Sequence, residues 1–458
     1  MLQGRNEELN TLNDYFEKNE SNIVVLYGEQ LVGTTSLWRE FAKGKDATYL
    51  KAVPPSGREQ AYLFAKALNW NGETDFDYSY TSILESILSA TNHNKSEKKL
   101  LIISDFHYLI QANSTFLDEL TAFIGKIRFE NKVTVLLVTN RPAWVEDQFV
   151  HELLLRKVKI GGFLKIKPLQ FLDIVCMMNT EEFDKLMAFY AILGGLSDGY
   201  EHFTPALSLR QNIVGTFLLP GGVYRNYGMD LIRSELREPA VYATILASLA
   251  EGRNKLNDLY LHTGFSRAKI SVYLKNLSEL SIVEKVKSYD TPGAENTKKG
   301  VYRIKNPIVK FYFTFLYPHE TELALIGEEE FYNTYIKDSI DNYCMEIFPT
   351  ICEEFLCLAN EREYLPIQFT KYGEWVGKTG TVDIIAQDKE RQFLFGYCKK
   401  ERGLLTYDEF IKLVSVTKET HLTPDYFYLF SLDGFDSQTL DELADRENVF
   451  LFDRSDLS

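Results

Sequence analysis

The sequence predicts a multidomain α/β protein, and three observations carry that prediction. A chain of 458 residues exceeds what one hydrophobic core organises and points to three or four domains. Over 1–169, short apolar runs rich in branched residues alternate with amphipathic stretches, the pattern of a parallel sheet covered on both faces. Beyond it, a helical stretch (170–235) leads to a basic helix–turn–helix with a strand pair (236–305). An aromatic-rich connector (306–335) and a second α/β unit (336–458) complete the chain.

The first region takes its strands from "NIVVLYG" (22–28), "ATYLKA" (47–52), "KLLIISDF" (99–106), "VTVLLVTN" (133–140) and "FLKIKPL" (163–169). An open sheet of this kind places its ligand crevice at the carboxyl ends of the strands. The helical stretch is broken by Gly194–Gly195 and Gly221–Gly222. In "LYLHTGFSRAKISVYLKNL" the turn falls at Gly264, and Ile270, Tyr273, Leu274 and Leu277 form one apolar helical face. The strand pair that follows encloses the polar loop "DTPGAENTKKG", so the segment has the layout of a winged helix-turn-helix. In the last unit, "GTVDIIAQDKERQFLFGYCKK" alternates as a β-hairpin around a polar turn. A helix over 408–419 and a strand over 425–431 follow it.

Composition narrows the function classes. With 45% hydrophobic and 14% aromatic residues the chain can bury sizeable cores. The polar start "MLQGRNEELNTLNDYF" reads as a helix rather than a signal peptide, and no run approaches 18 uninterrupted apolar residues, so no membrane partner is expected. Five cysteines without a C-x-x-C pair fit reduced thiols in a cytoplasmic protein better than a zinc site. A net charge of −15 argues against coating nucleic acid along the whole length. Residues 236–310 reverse that sign locally, with 13 Lys/Arg against 7 Asp/Glu.

"LYGEQLVGTTS" (26–36) has the frame of a phosphate-binding loop: strand, Gly28, four residues, Gly33, and a hydroxyl at Thr35. Such glycines let consecutive backbone N–H groups face a phosphate at a helix N-terminus. A lysine normally adds charge at the outer phosphates, and the hydroxyl takes Mg²⁺. Here the lysine position is Thr34. A Lys–phosphate pair is worth up to ~4 kcal/mol at 4 Å and an effective dielectric of 20, so even half of it is more than tenfold in affinity. Asp105 ends an apolar strand and could hold Mg²⁺ through water, but the next position, expected to carry a water-activating glutamate, is Phe106. Asn140 ends the following strand, where it could touch an outer phosphate.

Taken together, "GRNEELNTL" (4–12), "VLYGEQLVGTTSL" (25–37), "LIISDFHYL" (101–109), "IKPLQFLD" (166–173), "LIRSELREPAVYATILASLAEG" (231–252) and "YRIKNPIVKFYFTFLYP" (302–318) resemble the archaeal-type P-loop ATPases of the STAND/AAA+ class. The resemblance implies an ATPase-like domain, a helical lid, a winged helix and a C-terminal restriction-endonuclease-like (PD-(D/E)xK-like) domain. It also implies ATP or ADP with Mg²⁺ as cofactors, and site residues Gly28, Gly33, Thr34, Thr35, Asp105 and Asn140, with Thr35 and Asp105 on the metal. In the nuclease-like end it implies a decayed nuclease site, of which Asp383, Lys399 and the helix-borne Glu353 or Glu354 remain, the lysine serving the nucleophile or the developing charge rather than the metal. Metal-dependent cleavage needs convergent carboxylates, and where such families carry the central acid this chain has Tyr397. The lysine two residues on is expected to share a strand face with that position.

Arg253, Lys255, Arg267, Lys269 and Lys275 lie on or beside the helix–turn–helix, with Lys298, Lys299 and Arg303 at the wing, where phosphates and base edges are contacted in DNA-binding modules. The leading expectation is a non-catalytic or barely catalytic nucleotide-sensing or scaffold protein that binds DNA or a protein partner. The alternative is a slow Mg²⁺-dependent ATPase in which Arg5, Lys43 or Lys45 replaces the missing lysine. His107 is expected to pack rather than catalyse.

Overall fold

The computed structural model describes residues 4–54, 57–68, 80–89, 98–113, 115–127, 132–180, 182–289, 300–377 and 380–457. The chain divides into two compact units: residues 1–169 with 196–199, and residues 170–195 with 200–458. Lys298 and Lys299 lie outside the described residues.

The first unit is built on five strands, β1 (Asn22–Gly28), β2 (Asp46–Lys51), β3 (Lys99–Ser104), β4 (Val133–Thr139) and β5 (Gly162–Ile166). They are all parallel, in the order β2-β3-β4-β1-β5. β1, β3 and β4 are buried at every residue, as their predominantly apolar sequences, with Asn22, Lys99, Ser104, Thr134 and Thr139 the polar exceptions, require of strands covered on both faces. The edge strands β2 and β5 alternate buried or half-buried with exposed residues. Ile23, Val25, Leu101, Ile103, Val135 and Leu137 pack one face against helices that bring in Phe64, Leu84, Leu120 and Phe149. The other face buries Val24, Leu26 and Leu136. The helices α1 (Asn6–Glu17) and α2 (Thr34–Ala42) meet through Phe16 and Phe41, 6.0 Å apart edge-on. The first unit is thus a five-stranded parallel sheet within a mixed α/β unit.

The second unit opens with helices over Phe171–Met178 and Phe183–Leu193. It continues to a helix pair, α3 (Leu256–Thr263) and α4 (Arg267–Glu279), and an antiparallel ribbon, β6 (Val283–Val286) with β7 (Val301–Ile304). Gly264, at φ +70°, ends α3, and Ser266 caps α4 by accepting from the Lys269 N–H. Ile270, Tyr273, Leu274 and Leu277 are the buried face of α4.

A second sheet runs β12-β11-β10-β9-β8, from β8 (Lys371–Val376), β9 (Thr381–Gln387), β10 (Phe393–Cys398), β11 (Tyr426–Phe430) and β12 (Val449–Phe452). β8, β9 and β10 are antiparallel; β10, β11 and β12 are parallel. Helices α5 (Phe348–Glu361) and α6 (Tyr407–Thr417) pack against it. Among the described residues no helix is long and apolar enough to cross a membrane.

Candidate nucleotide site

Gly28 closes β1 at a point where a Cβ would lie 2.8 Å from the Ile166 carbonyl oxygen and 2.6 Å from Val32 Cγ1, so only glycine allows β5 and the loop to approach this closely. The loop then turns through two left-handed positions, Leu31 at φ +63° and Gly33 at φ +104°. Gly33 is the N-cap of α2 and offers no side chain to it. Gly33 gives the first N–H groups of α2 no capping side chain, and a helix N-terminus of this kind favours an anion.

The carbonyl side of the loop is pinned. Arg5, 3% exposed, donates through Nη2 to the Val32 and Lys167 carbonyls at 2.9 and 2.7 Å and through Nη1 to Glu8 at 2.9 Å. Ser197 Oγ donates to the Val32 carbonyl at 3.0 Å, the Asp198 N–H donates to Leu31 at 3.0 Å, and Ser36 Oγ donates to the Asp198 carboxylate at 2.5 Å. A Cβ on Gly33 would collide with Ser197 Oγ.

Of the three cations considered for the lysine's place, Arg5 alone lies on the loop. Lys43 is at the far end of α2, ~13 Å along its axis, paired with Glu40 at 2.7 Å. Lys45 donates to the Phe41 carbonyl and Asn13. Thr34 is buried at 8% exposure. Asp105 sits at the tip of β3 with φ +55°, a conformation that short polar residues tolerate and that gathers at functional sites. β3 and β1 are both neighbours of β4, so Asp105 stands two strand spacings from Gly28, ~10 Å. Phe106 is fully buried between Trp144 and Phe149, ring centroids 5.5 and 5.0 Å away, and belongs to the core. His107 is buried too. Its Nδ1 is 2.8 Å from Thr139 Oγ1, and burial, with Arg141 nearby, pushes its pKa down to about 3. It is a neutral core group.

The residues present fit a phosphate-bearing ligand in part. Three buried polar atoms of this end of the sheet, Arg5 Nε, Gln30 Oε1 and Asn140 Oδ1, have no hydrogen-bond partner, the condition expected where a ligand or its water completes the shell. Thr35 and Asp105 are hard oxygen donors of the kind Mg²⁺ takes. No side chain delivers a positive charge from the lysine position.

The carboxylates of the C-terminal sheet do not converge. Val382 and Ile385, three apart, pack in the same apolar cluster, and the register slips by one residue between Gly373 and Trp375 on the facing strand. This bulge breaks the two-residue alternation at Asp383. Asp383 pairs with Lys400 at 2.6 Å and accepts from the Cys398 N–H, whereas Lys399 pairs with Glu409 of α6 at 2.7 Å, beside Tyr397. Glu354 accepts from the Phe171 N–H and the Tyr190 hydroxyl. Glu353 faces Glu354, Glu374 and Glu284; burial first, then these carboxylates, push its pKa up to about 7. Among the described residues no three His, Cys, Asp or Glu side chains form a metal cluster.

On α4, Arg267 is exposed, lies 4.0 Å over the Tyr260 ring and donates to Asn257. Lys269 lies over Phe265, Lys275 is exposed 3.7 Å from Glu279, Lys255 is exposed at the start of α3, and Arg253 pairs with Glu251. Arg303 of β7 makes a bidentate pair with Glu374 of β8 at 2.8 and 2.7 Å. The ribbon's root is tied to the same strand: the Tyr289 N–H donates to the Glu374 carbonyl, and Ser288 Oγ accepts from the Val376 N–H.

A family model described as archaea bacterial proteins of unknown function (DUF234) matches residues 312–411. An uncharacterized protein of Methanocaldococcus jannaschii, MJECL04, is 28% identical over 404 residues, 86% of this chain and 86% of its own. Among solved structures, a Walker-type ATPase of Pyrococcus abyssi is 14% identical, covering 68% of this chain and 96% of that one with a TM-score of 0.49. The ORC2 protein of Aeropyrum pernix is also 14% identical, over 70% of this chain and 96% of that one, with a TM-score of 0.43.

Proposed function

We propose that this chain is a P-loop protein that binds a nucleoside phosphate without turning it over efficiently, and that it acts through its helix–turn–helix on DNA. The observation that supports this most directly is the division within one site. The backbone cradle of Gly28, Gly33 and the uncapped N-terminus of α2 is intact. The lysine position holds a buried threonine, and the position of the general base holds a core phenylalanine. Gly28, Gly33, Thr34 and Thr35 would cradle the phosphates, Thr35 and Asp105 would share Mg²⁺, and Asn140 would reach the outer phosphate. Bound Mg²⁺ would offset phosphate charge. A missing base removes ~10²–10⁴-fold in rate, which turns the site from an engine into a sensor.

In the same reading, α3, α4 and the β6–β7 ribbon form a winged helix. Arg253, Lys255, Arg267, Lys269 and Lys275 then meet DNA phosphates, and Glu353, Glu354, Asp383 and Lys399 are the remnant of a nuclease-like site. Hydrolysis assays with Mg²⁺–ATP are expected to show no turnover above background; turnover abolished by Asp105→Ala would overturn the reading. DNA binding is expected to weaken with salt and to be lost in Arg267→Ala/Lys269→Ala; binding unaffected by that pair would assign the module to protein contacts. A slow ATPase is the second reading, favoured by the placement of Arg5 alone, among the three candidate cations, on the loop.

A further inference from the structure

The residues 196–199 belong to the P-loop unit although the chain on either side of them does not. They bring a carboxylate to the loop. Ser36 is the third residue of α2, and its hydroxyl donates to Asp198 at 2.5 Å. Asp198 is held there from two further directions, by its own N–H on the Leu31 carbonyl and by the neighbouring Ser197 on Val32.

The first turn of α2 carries the positive end of the helix dipole, and a negative group near it is stabilised. It is also where a phosphate would sit. That the place is built for an anion has independent support in Arg5: 3% exposed, with an Nε that has no partner and lies 3.8 Å from where a Cβ on Gly33 would stand. Two anions at one helix end repel. With lysine absent at position 34, nothing from that position offsets the repulsion.

We infer that Asp198 is an affinity-determining residue of this site: an internal carboxylate that competes electrostatically with the phosphates of an incoming nucleotide and holds its affinity down. The inference rests on the nucleotide reading above. A unit charge several ångströms from a bound phosphate, at the effective dielectric of a protein surface, changes affinity by about tenfold.

The test is calorimetric titration with ADP and, separately, with inorganic pyrophosphate. Asp198→Asn retains an oxygen able to accept from Ser36 and removes the charge. It is expected to bind both probes about tenfold more tightly than the wild type, with thermal unfolding showing the fold retained. Asp198→Ser, which removes the charge with a different side chain, is expected to show the same gain. Equal affinities in wild type and both variants would overturn the inference and leave the nucleotide reading standing. A gain in Asp198→Asn alone would assign the effect to the new amide and overturn it as well. No binding in the wild type, both variants and Thr34→Lys would overturn the nucleotide reading and the inference together.

Discussion

Thr34, Phe106 and Asp383 show how much of the proposed function turns on single residues. Thr34 is a buried, uncharged residue at the start of α2, and Phe106 is packed in the core; in the proposed reading the first leaves the loop without a lysine's charge and the second leaves the site without a general base. Both residues are legible in the sequence as departures from the phosphate-loop pattern, because that pattern has fixed spacings and each part has one chemical task. The partner of Asp383 was not. Strand alternation places Lys399 beside it, and a one-residue bulge delivers Lys400 instead; a bulge leaves no reliable mark in a single sequence. Glu353 carries a pH signature. Its folded pKa of about 7 stands above the ordinary 4.5, so the folded state binds more protons than the unfolded one between those values. Stability must therefore fall as pH rises from about 4.5 to 7, by up to about 3 kcal/mol for one group. Glu353→Gln is expected to be as stable as the wild type at pH 4 and more stable at pH 8. Denaturant unfolding at the two pH values measures it, and an unchanged difference between the proteins would contradict the assignment.

Elements divide by how much of their order comes from their own residues. The buried strands β1, β3 and β4 announce themselves as continuous apolar runs, and α4 by its four-residue apolar face with a serine cap. β8, "KYGEWV", does not; it is an edge strand whose pairing is supplied by β9, and its sequence carries a glycine and two charges. Its second role was equally hidden, since β8 is where the root of the ribbon and Arg303 are tied. Arg303 would otherwise be available to a phosphate. Glu374→Ala is expected to cost no more than about 1 kcal/mol, as a half-exposed pair, while DNA affinity rises and its salt dependence steepens by about one ion. Fluorescence anisotropy against salt concentration reads both; an unchanged slope would show that Arg303 does not reach DNA.

At the scale of the whole molecule, an acidic chain of net charge −15 carries one basic segment and, in the proposed reading, one phosphate loop with threonine at the lysine position. The excursion of residues 196–199 to that loop was beyond sequence reasoning, since it depends on tertiary placement rather than on any local pattern. The proposal unites these features as a framework whose apolar cores are complete while the charged positions of an ATPase site are not. The most direct measurement is calorimetric titration of the wild type and Thr34→Lys with ATP and ADP, with and without Mg²⁺. Binding by the wild type without hydrolysis, tightened more than tenfold by the restored lysine, is the predicted result. Mg²⁺-dependent hydrolysis by the wild type, or no binding by either protein, would contradict the account.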